Sequence, residues 1–235
     1  MILKGSPMSQ LFSSFETKLM IKIMANAKKY KGATHPNPAV GAVIYRDQTI
    51  IAYGVHRKKG QDHAEVDAIK QAAGNTKGAT MMVTLEPCTH YGSTPPCVEA
   101  IKQAEIKEVI FAANDPFEKV ASNQAKIQLE KSGILVRQGL CQDQAIALNH
   151  DYHFCHQNKK PWVHLKAASS LDGKIAMASG ESHYITGPQS RQEVHRLRAE
   201  CKAIMIGGQT LKVDNPQLTV RFDQLSHNHV KPTLI

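Results

Sequence analysis

The sequence predicts a mixed α/β fold with helices packed on the faces of a sheet. Two observations carry this: an opening pair of β-rich runs reads as a hairpin, and strands then alternate with helices up to about residue 140. A fresh alternation after Pro161 predicts a second α/β unit. The length of 235 residues also suits one full domain and at least part of another.

The elements follow in order. In "SSFETKLMIKIMANAKKYKG", Leu19, Met20, Ile23 and Met24 recur at three- and four-residue spacing, and Ser13 to Glu16 forms a capping-box pattern. A helix ending near Gly32 is expected. "AVGAVIYRD" and "QTIIAYGVH" are the two arms of the hairpin, turning at Asp47. Next come a helix at about 63 to 73, strand "ATMMVTLEP", a helix at about 96 to 104 and strand "EVIFAAN". A helix at about 121 to 132 and strand "GILVRQGL" close the first series. "QDQAIALNHDYHFCHQNKKP" reads as one helix closing at Pro161, a connector. Beyond it lie strand "WVHLKAAS", turn "SLDGK", a helix opened by Pro188, strand "AIMIGG" and the start of a strand in "KPTLI".

Composition narrows the classes of function. A hydrophobic fraction of 42% with 21% charged residues describes a soluble chain that buries a core, which excludes disorder. The net charge of +9 suggests an anionic partner. Lys and Arg are scattered, however, and clusters such as Arg57, Lys58, Lys59 are short, which favours solvated surface charge over a nucleic-acid patch. No run of about 18 apolar residues is present and the N-terminus lacks a signal-peptide pattern, so a cytoplasmic protein without a membrane partner is expected. Its five cysteines are expected as thiols or metal ligands.

Ligand-type residues concentrate in two places, "HAEVDAIKQA" and "TLEPCTHYGSTPPCVEAIKQA". A lone His-x-Glu is also an ordinary polar helix start, and two such cysteines can be buried as small hydrophobes. The joint arrangement raises the metal reading: His63 opens one helix, Cys88 follows a strand and Cys97 opens the next helix. A catalytic zinc uses three protein ligands and leaves a fourth position open, although a structural zinc stays the alternative. Helix starts favour thiolate at Cys97, and Glu65 is left to carry protons.

His63-Ala64-Glu65 followed by Pro87-Cys88 and a second cysteine resembles the zinc-dependent cytidine-deaminase superfamily. Its usual P-C-x-x-C is widened here to eight residues between the cysteines. "TLEPCTHYGSTPPC" and "THPNPAVGAVI" are similar to the bifunctional deaminase/reductase family of riboflavin biosynthesis, over about residues 16 to 140. "HLKAASSLDGKIAMASGESHYITG", "VHRLRAECKAIMIGGQTL" and "DNPQLTVR" resemble the opening of that family's reductase domain.

The resemblance implies a cytidine-deaminase-like three-layer α/β/α domain and a partial dihydrofolate-reductase-like α/β domain. The expected layout is an N-terminal extension (1–15), a deaminase domain (16–140), a connector (141–160) and an incomplete reductase-like domain (161–235). It implies one Zn²⁺ per chain on His63, Cys88 and Cys97, with Glu65 moving protons from water to the ring nitrogen and departing ammonia. The implied substrate is 2,5-diamino-6-ribosylamino-4(3H)-pyrimidinone 5′-phosphate, a phosphorylated pyrimidine contacted by Asn37 and Asp115. Lys166, Ser182, Arg198, Leu218 and Arg221 match substrate positions of the reductase, and Ala168, Tyr184, Thr210 and Asn215 match cofactor positions. NADPH binding is expected only of a complete reductase domain, and no reductase activity is expected of this chain alone. A homo-oligomer, dimer or tetramer, is also implied.

The chain departs from that family at Ser93, where Arg or Lys is usual, at Phe117-Glu118 with "VASNQA", and at Tyr184 in place of Trp. Substrate identity is open there, and the alternatives are a deaminase of another base, nucleotide or tRNA adenosine, or a non-catalytic zinc-stabilised remnant.

Overall fold

The computed structural model describes residues 12–92, 95–117, 124–182, 184–221 and 233–234. The chain divides into two compact units, Met1–Pro161 and Trp162–Ile235. Most of the expected N-terminal extension, Ser93 and Glu118 lie outside the described residues.

The first unit opens with helix α1 (Ser14–Lys28), which stops one turn before Gly32. Its start is a complete capping box: Ser13 Oγ accepts the Glu16 N–H at 3.1 Å, and the Glu16 carboxylate accepts the Ser13 N–H at 2.7 Å. β1 (Gly41–Arg46) and β2 (Thr49–Val55) form the antiparallel hairpin. Asp47 and Gln48 both take positive φ, the conformation a two-residue hairpin turn needs. Then come α2 (Ala64–Gln71), β3 (Thr80–Leu85), α3 (Cys97–Gln103), β4 (Glu108–Ala113), α4 (Gln124–Lys131) and β5 (Leu135–Gln138). The five strands lie in the order β2-β1-β3-β4-β5, with β1 antiparallel to both neighbours and β3, β4 and β5 parallel.

Residues alternate across the sheet and so feed two cores. Ile44, Met81, Val83, Val109 and Phe111 face α2, α3 and α4, meeting Ala68, Ile101 and Leu129. Val43, Met82 and Ile110 face the other way, against Leu19, Met20 and Ile23 of α1. The result is a three-layer α/β/α unit.

The segment from 142 to 161, read from sequence as one helix, is two: α5 (Gln142–Leu148) and α6 (His150–Asn158). The chain breaks at Asn149, whose buried side chain is committed elsewhere. Its Oδ1 accepts the Ala39 N–H at 2.8 Å and its Nδ2 donates to the Ala39 carbonyl at 2.9 Å. An amide that satisfies both backbone polar groups of a distant residue outweighs helix continuity at one position.

An ionic cluster ties α1 to the far edge of the sheet. Arg137 on β5 binds Glu16 at 2.5 Å and Glu108 at 2.6 Å, and the Tyr45 hydroxyl donates to Glu16 at 3.0 Å. Burial alone would raise the Glu16 carboxyl, yet the Arg137 and Ser13 hydrogen bonds hold it below its ordinary 4.5. Such a group stabilises the fold above its unfolded value and loses that contribution as pH falls through its depressed folded value. Arg137→Met leaves two largely buried carboxylates unpaired and is expected to cost about 2–4 kcal/mol at pH 7. Urea melts at pH 7 and pH 3 check it, because the difference between wild type and variant shrinks at the acid end.

The second unit contains α7 (Pro188–Glu200), β6 (Ala203–Ile204), α8 (Gly208–Asp214) and β7 (Thr233–Leu234). Pro188 stands in the first turn of α7 as expected. "WVHLKAAS" is not a strand, although its residues favour one. A strand exists only where a neighbour completes its hydrogen bonds, and no described strand pairs with it. "AIMIGG" likewise contributes only two residues, which pair in parallel with β7. Leu165, Leu171, Met177 and Met205 are exposed in this unit. Among the described residues no helix is long and apolar enough to cross a membrane.

Candidate metal centre and active site

Three element ends converge on one point in the first unit. His63 is the N-cap of α2, Cys88 follows β3, and Cys97 is the first residue of α3. His63 Nδ1 lies 3.3 Å from Cys97 Sγ and 3.6 Å from Cys88 Sγ, and the three ligand atoms all lie within 4.8 Å of one another. Tetrahedral zinc with ordinary Zn–N and Zn–S bonds spaces its ligand atoms about 3.5–3.8 Å apart, so the residues fit the ion. The Cys97 backbone N–H donates to Cys88 Sγ at 3.3 Å, which spends a free donor of α3 on the sulfur. His63, Cys88 and Cys97 form the one group of this kind among the described residues, so His150, His153, Cys155 and His156 do not make a second.

Close packing sets this geometry. α2 lies hard against β2 at Gly54, where a Cβ would stand 2.0 Å from the Ala64 carbonyl oxygen. Asp67 fixes the register between them, accepting from the Val55 N–H at 2.9 Å and from Arg57 at 2.8 Å.

Without a metal the ligands share protons unevenly. Hydrogen bonding from Cys97, and then from His63, brings the Cys88 thiol down to about 4. The bond to Cys88 pushes His63 up to about 9, while Cys97 is driven upward by its bond to Cys88 and by burial. At neutral pH the two sulfurs therefore share one proton, held more by Cys97 than by Cys88, and the His63 ring carries another. Zinc uptake is expected to release about two protons there, and affinity to rise by about two decades per pH unit below the His63 value. Calorimetry in buffers of different ionisation enthalpy measures the count; release of none would contradict it.

Glu65, the second residue of α2, is buried, and burial before all else raises its carboxyl to about 7. It borders a cavity of about 320 Å³, within the range of small-molecule sites. His63, Glu65 and Cys88 line its metal end, and Pro36, Asn37 and Pro38 line another side. The Asn37 amide is oriented by His56. His56 Nδ1 lies 2.9 Å from the Asp62 carbonyl, which can only accept, so Nε2 accepts from Asn37 Nδ2 at 3.2 Å. Burial lowers the His56 pKa and keeps the ring neutral. Asp115, just past β4, is buried in the cavity wall, and burial raises its pKa. His90 and His156 flank Phe117 edge to face, with ring centroids at 5.7 and 5.1 Å.

The cavity thus gathers the six expected residues of the first unit, five in its lining and Cys97 beside Cys88. Sequence reading missed His56, Tyr152 and His156. The available signal was that Asn149, Tyr152 and His156 recur at helical spacing and share one face. In the second unit Arg198 donates to the Thr219 carbonyl at 3.3 Å and Arg221 to Gln217 at 2.5 Å, beside half-buried Leu218. Lys166, Ser182, Tyr184, Thr210 and Asn215 are exposed, and Ala168 is half-buried.

A three-layer α/β/α unit with a histidine and a cysteine at helix starts and a second cysteine after a strand has the architecture and ligand set of the cytidine-deaminase zinc-binding class. Residues 14–113 match the cytidine and deoxycytidylate deaminase zinc-binding region, and residues 161–235 match the RibD C-terminal domain. The chain is 46% identical over 196 residues to riboflavin biosynthesis protein RibD of Aquifex aeolicus, covering 83% of this chain and 55% of that one. It is 42% identical over 206 residues to the Escherichia coli RibD, covering 88% and 56%. A solved diaminohydroxyphosphoribosylaminopyrimidine deaminase/5-amino-6-(5-phosphoribosylamino)uracil reductase from Thermotoga maritima matches with a TM-score of 0.86 and 37% identity, over 94% of this chain and 62% of that one. Acinetobacter baumannii RibD, form 1, matches with a TM-score of 0.83 and 45% identity, over 88% and 58%. The chain belongs to the RibD family of riboflavin biosynthesis proteins. It spans a little over half the length of the curated relatives it matches.

Proposed function

We propose that the chain is a zinc-dependent hydrolytic deaminase that converts 2,5-diamino-6-ribosylamino-4(3H)-pyrimidinone 5′-phosphate to 5-amino-6-ribosylaminouracil 5′-phosphate. The observation that carries this is one cavity joining three zinc-type ligands, a buried carboxyl and two polar side chains suited to a heterocycle. Zinc held by His63, Cys88 and Cys97 supplies Lewis acidity that makes water a nucleophile at neutral pH.

The chain's own residues do the rest. Glu65, whose carboxyl burial raises, takes the two protons of the water in turn, passing the first to the ring nitrogen and the second to the amino group that leaves as ammonia. Asn37, its Nδ2 engaged by His56, offers Oδ1 to a ring N–H. Asp115 accepts from an amino group of the ring. The Phe117, His90 and His156 rings keep bulk water off the heterocycle.

Ammonia release on this substrate, set beside cytosine, guanine, their nucleotides and tRNA adenosine, tests the proposal. Phe117 between two histidines gives the competing reading, another base, its one structural support. Preferential turnover of any other member of the panel transfers the function to that base. No NADPH-dependent reduction is assigned to residues 161–235, where most of the expected cofactor and substrate positions are exposed. A homo-oligomer, dimer or tetramer, is what the resemblance implies, and light scattering would count the subunits.

A further inference from the structure

We propose that α6 is a wall of the deaminase pocket and that Tyr152 on it is a positioning residue for substrate recognition, acting through Asp115. The inference rests on the deaminase reading above and goes further into the same site. The match to the deaminase region ends at residue 113, so neither Asp115 nor α6 belongs to it.

Three contacts carry the inference. Asn149, at the head of α6, brackets Ala39 two residues after Asn37, so the helix is pinned to the loop that presents Asn37. One turn on, the Tyr152 hydroxyl donates to Asp115 Oδ1 at 2.9 Å, and the Phe117 N–H reaches the same oxygen at 2.9 Å. A turn further, His156 packs on Tyr152 with centroids at 4.4 Å and on Phe117 at 5.1 Å, and Tyr152 and His156 both line the cavity.

The arrangement has a chemical consequence. Both hydrogen bonds that the described residues give Asp115 fall on Oδ1, which fixes the carboxylate plane and leaves Oδ2 as the acceptor for an exocyclic amino group. Burial, chiefly, raises the Tyr152 hydroxyl, so it stays protonated and remains a donor. A carboxylate held at one oxygen pays less rotational entropy when the other binds its ligand.

The test uses the zinc-loaded full chain, the diaminopyrimidinone ribosyl phosphate as probe, and the variants Tyr152→Phe, Asp115→Asn and the double variant. Tyr152→Phe keeps the ring and its packing and removes only the hydroxyl. Its KM is expected to rise about tenfold, with a smaller change in kcat and with zinc content and melting temperature retained. In the Asp115→Asn background the same change is expected to shift substrate affinity, read by calorimetry, by less than about twofold. An unmoved KM, a loss traced to zinc or folding, or full additivity of the two substitutions overturns the proposal. Turnover by the wild type with an unmoved Tyr152→Phe overturns this inference alone, whereas no turnover by the wild type overturns the deaminase reading and this one with it.

Discussion

Glu65→Ala is expected to lower ammonia release by about a thousandfold, within the range a positioned proton carrier supplies, while leaving the zinc in place. The carboxyl is buried at the metal end of the cavity, beside His63 and Cys88, where the proton has to move. It is not among the three residues whose ligand atoms gather at metal distance, so metal content has no reason to fall. Single-turnover ammonia release with metal analysis of the same samples makes the measurement. Equal rates for variant and wild type would remove Glu65 from the mechanism, and zinc loss would make it a ligand.

Gly54→Ala is the second large effect. Its Cβ would stand 2.0 Å from the Ala64 carbonyl oxygen and 2.4 Å from the Ala68 nitrogen, both backbone atoms of α2 that no rotamer change can move aside. The helix has to shift bodily, and His63 caps it and shifts with it. A destabilisation of about 3 kcal/mol, the upper end of overpacking costs, is expected together with weakened zinc binding. Gly208→Ala, which meets nothing within 4 Å, serves as the control with no expected change. A normal melting temperature and normal zinc titration for Gly54→Ala would contradict the close approach.

The first unit was legible because its signals are local. The Ser13 and Glu16 capping box, the alternation in β1 and β2, and the cysteines at the ends of β3 and the start of α3 all declare themselves within a few residues. The rest depends on partners far along the chain. Asn149 meets Ala39 across 110 positions and Tyr152 meets Asp115 across 37, and no periodicity records either pairing. His56 was hidden for the opposite reason. It ends a strand pattern in which any residue fits, and only the Asp62 carbonyl and Asn37 on either side of its ring give it a role. "WVHLKAAS" shows the limit of composition: β-prone residues fix a preference, but a ladder needs a second strand to receive it.

The bracket between Asn149 and Ala39 bears on how the protein can be cut. A fragment ending after β5 keeps every strand of the sheet, both cysteines, His63 and Glu65, and by inventory looks sufficient. It would lose the amide that anchors the Asn37 loop and the hydroxyl that holds Asp115. If the deaminase proposal holds, the shortest fragment expected to turn over substrate ends near Pro161, where the first compact unit closes, and a shorter one is expected to carry metal without selecting a substrate.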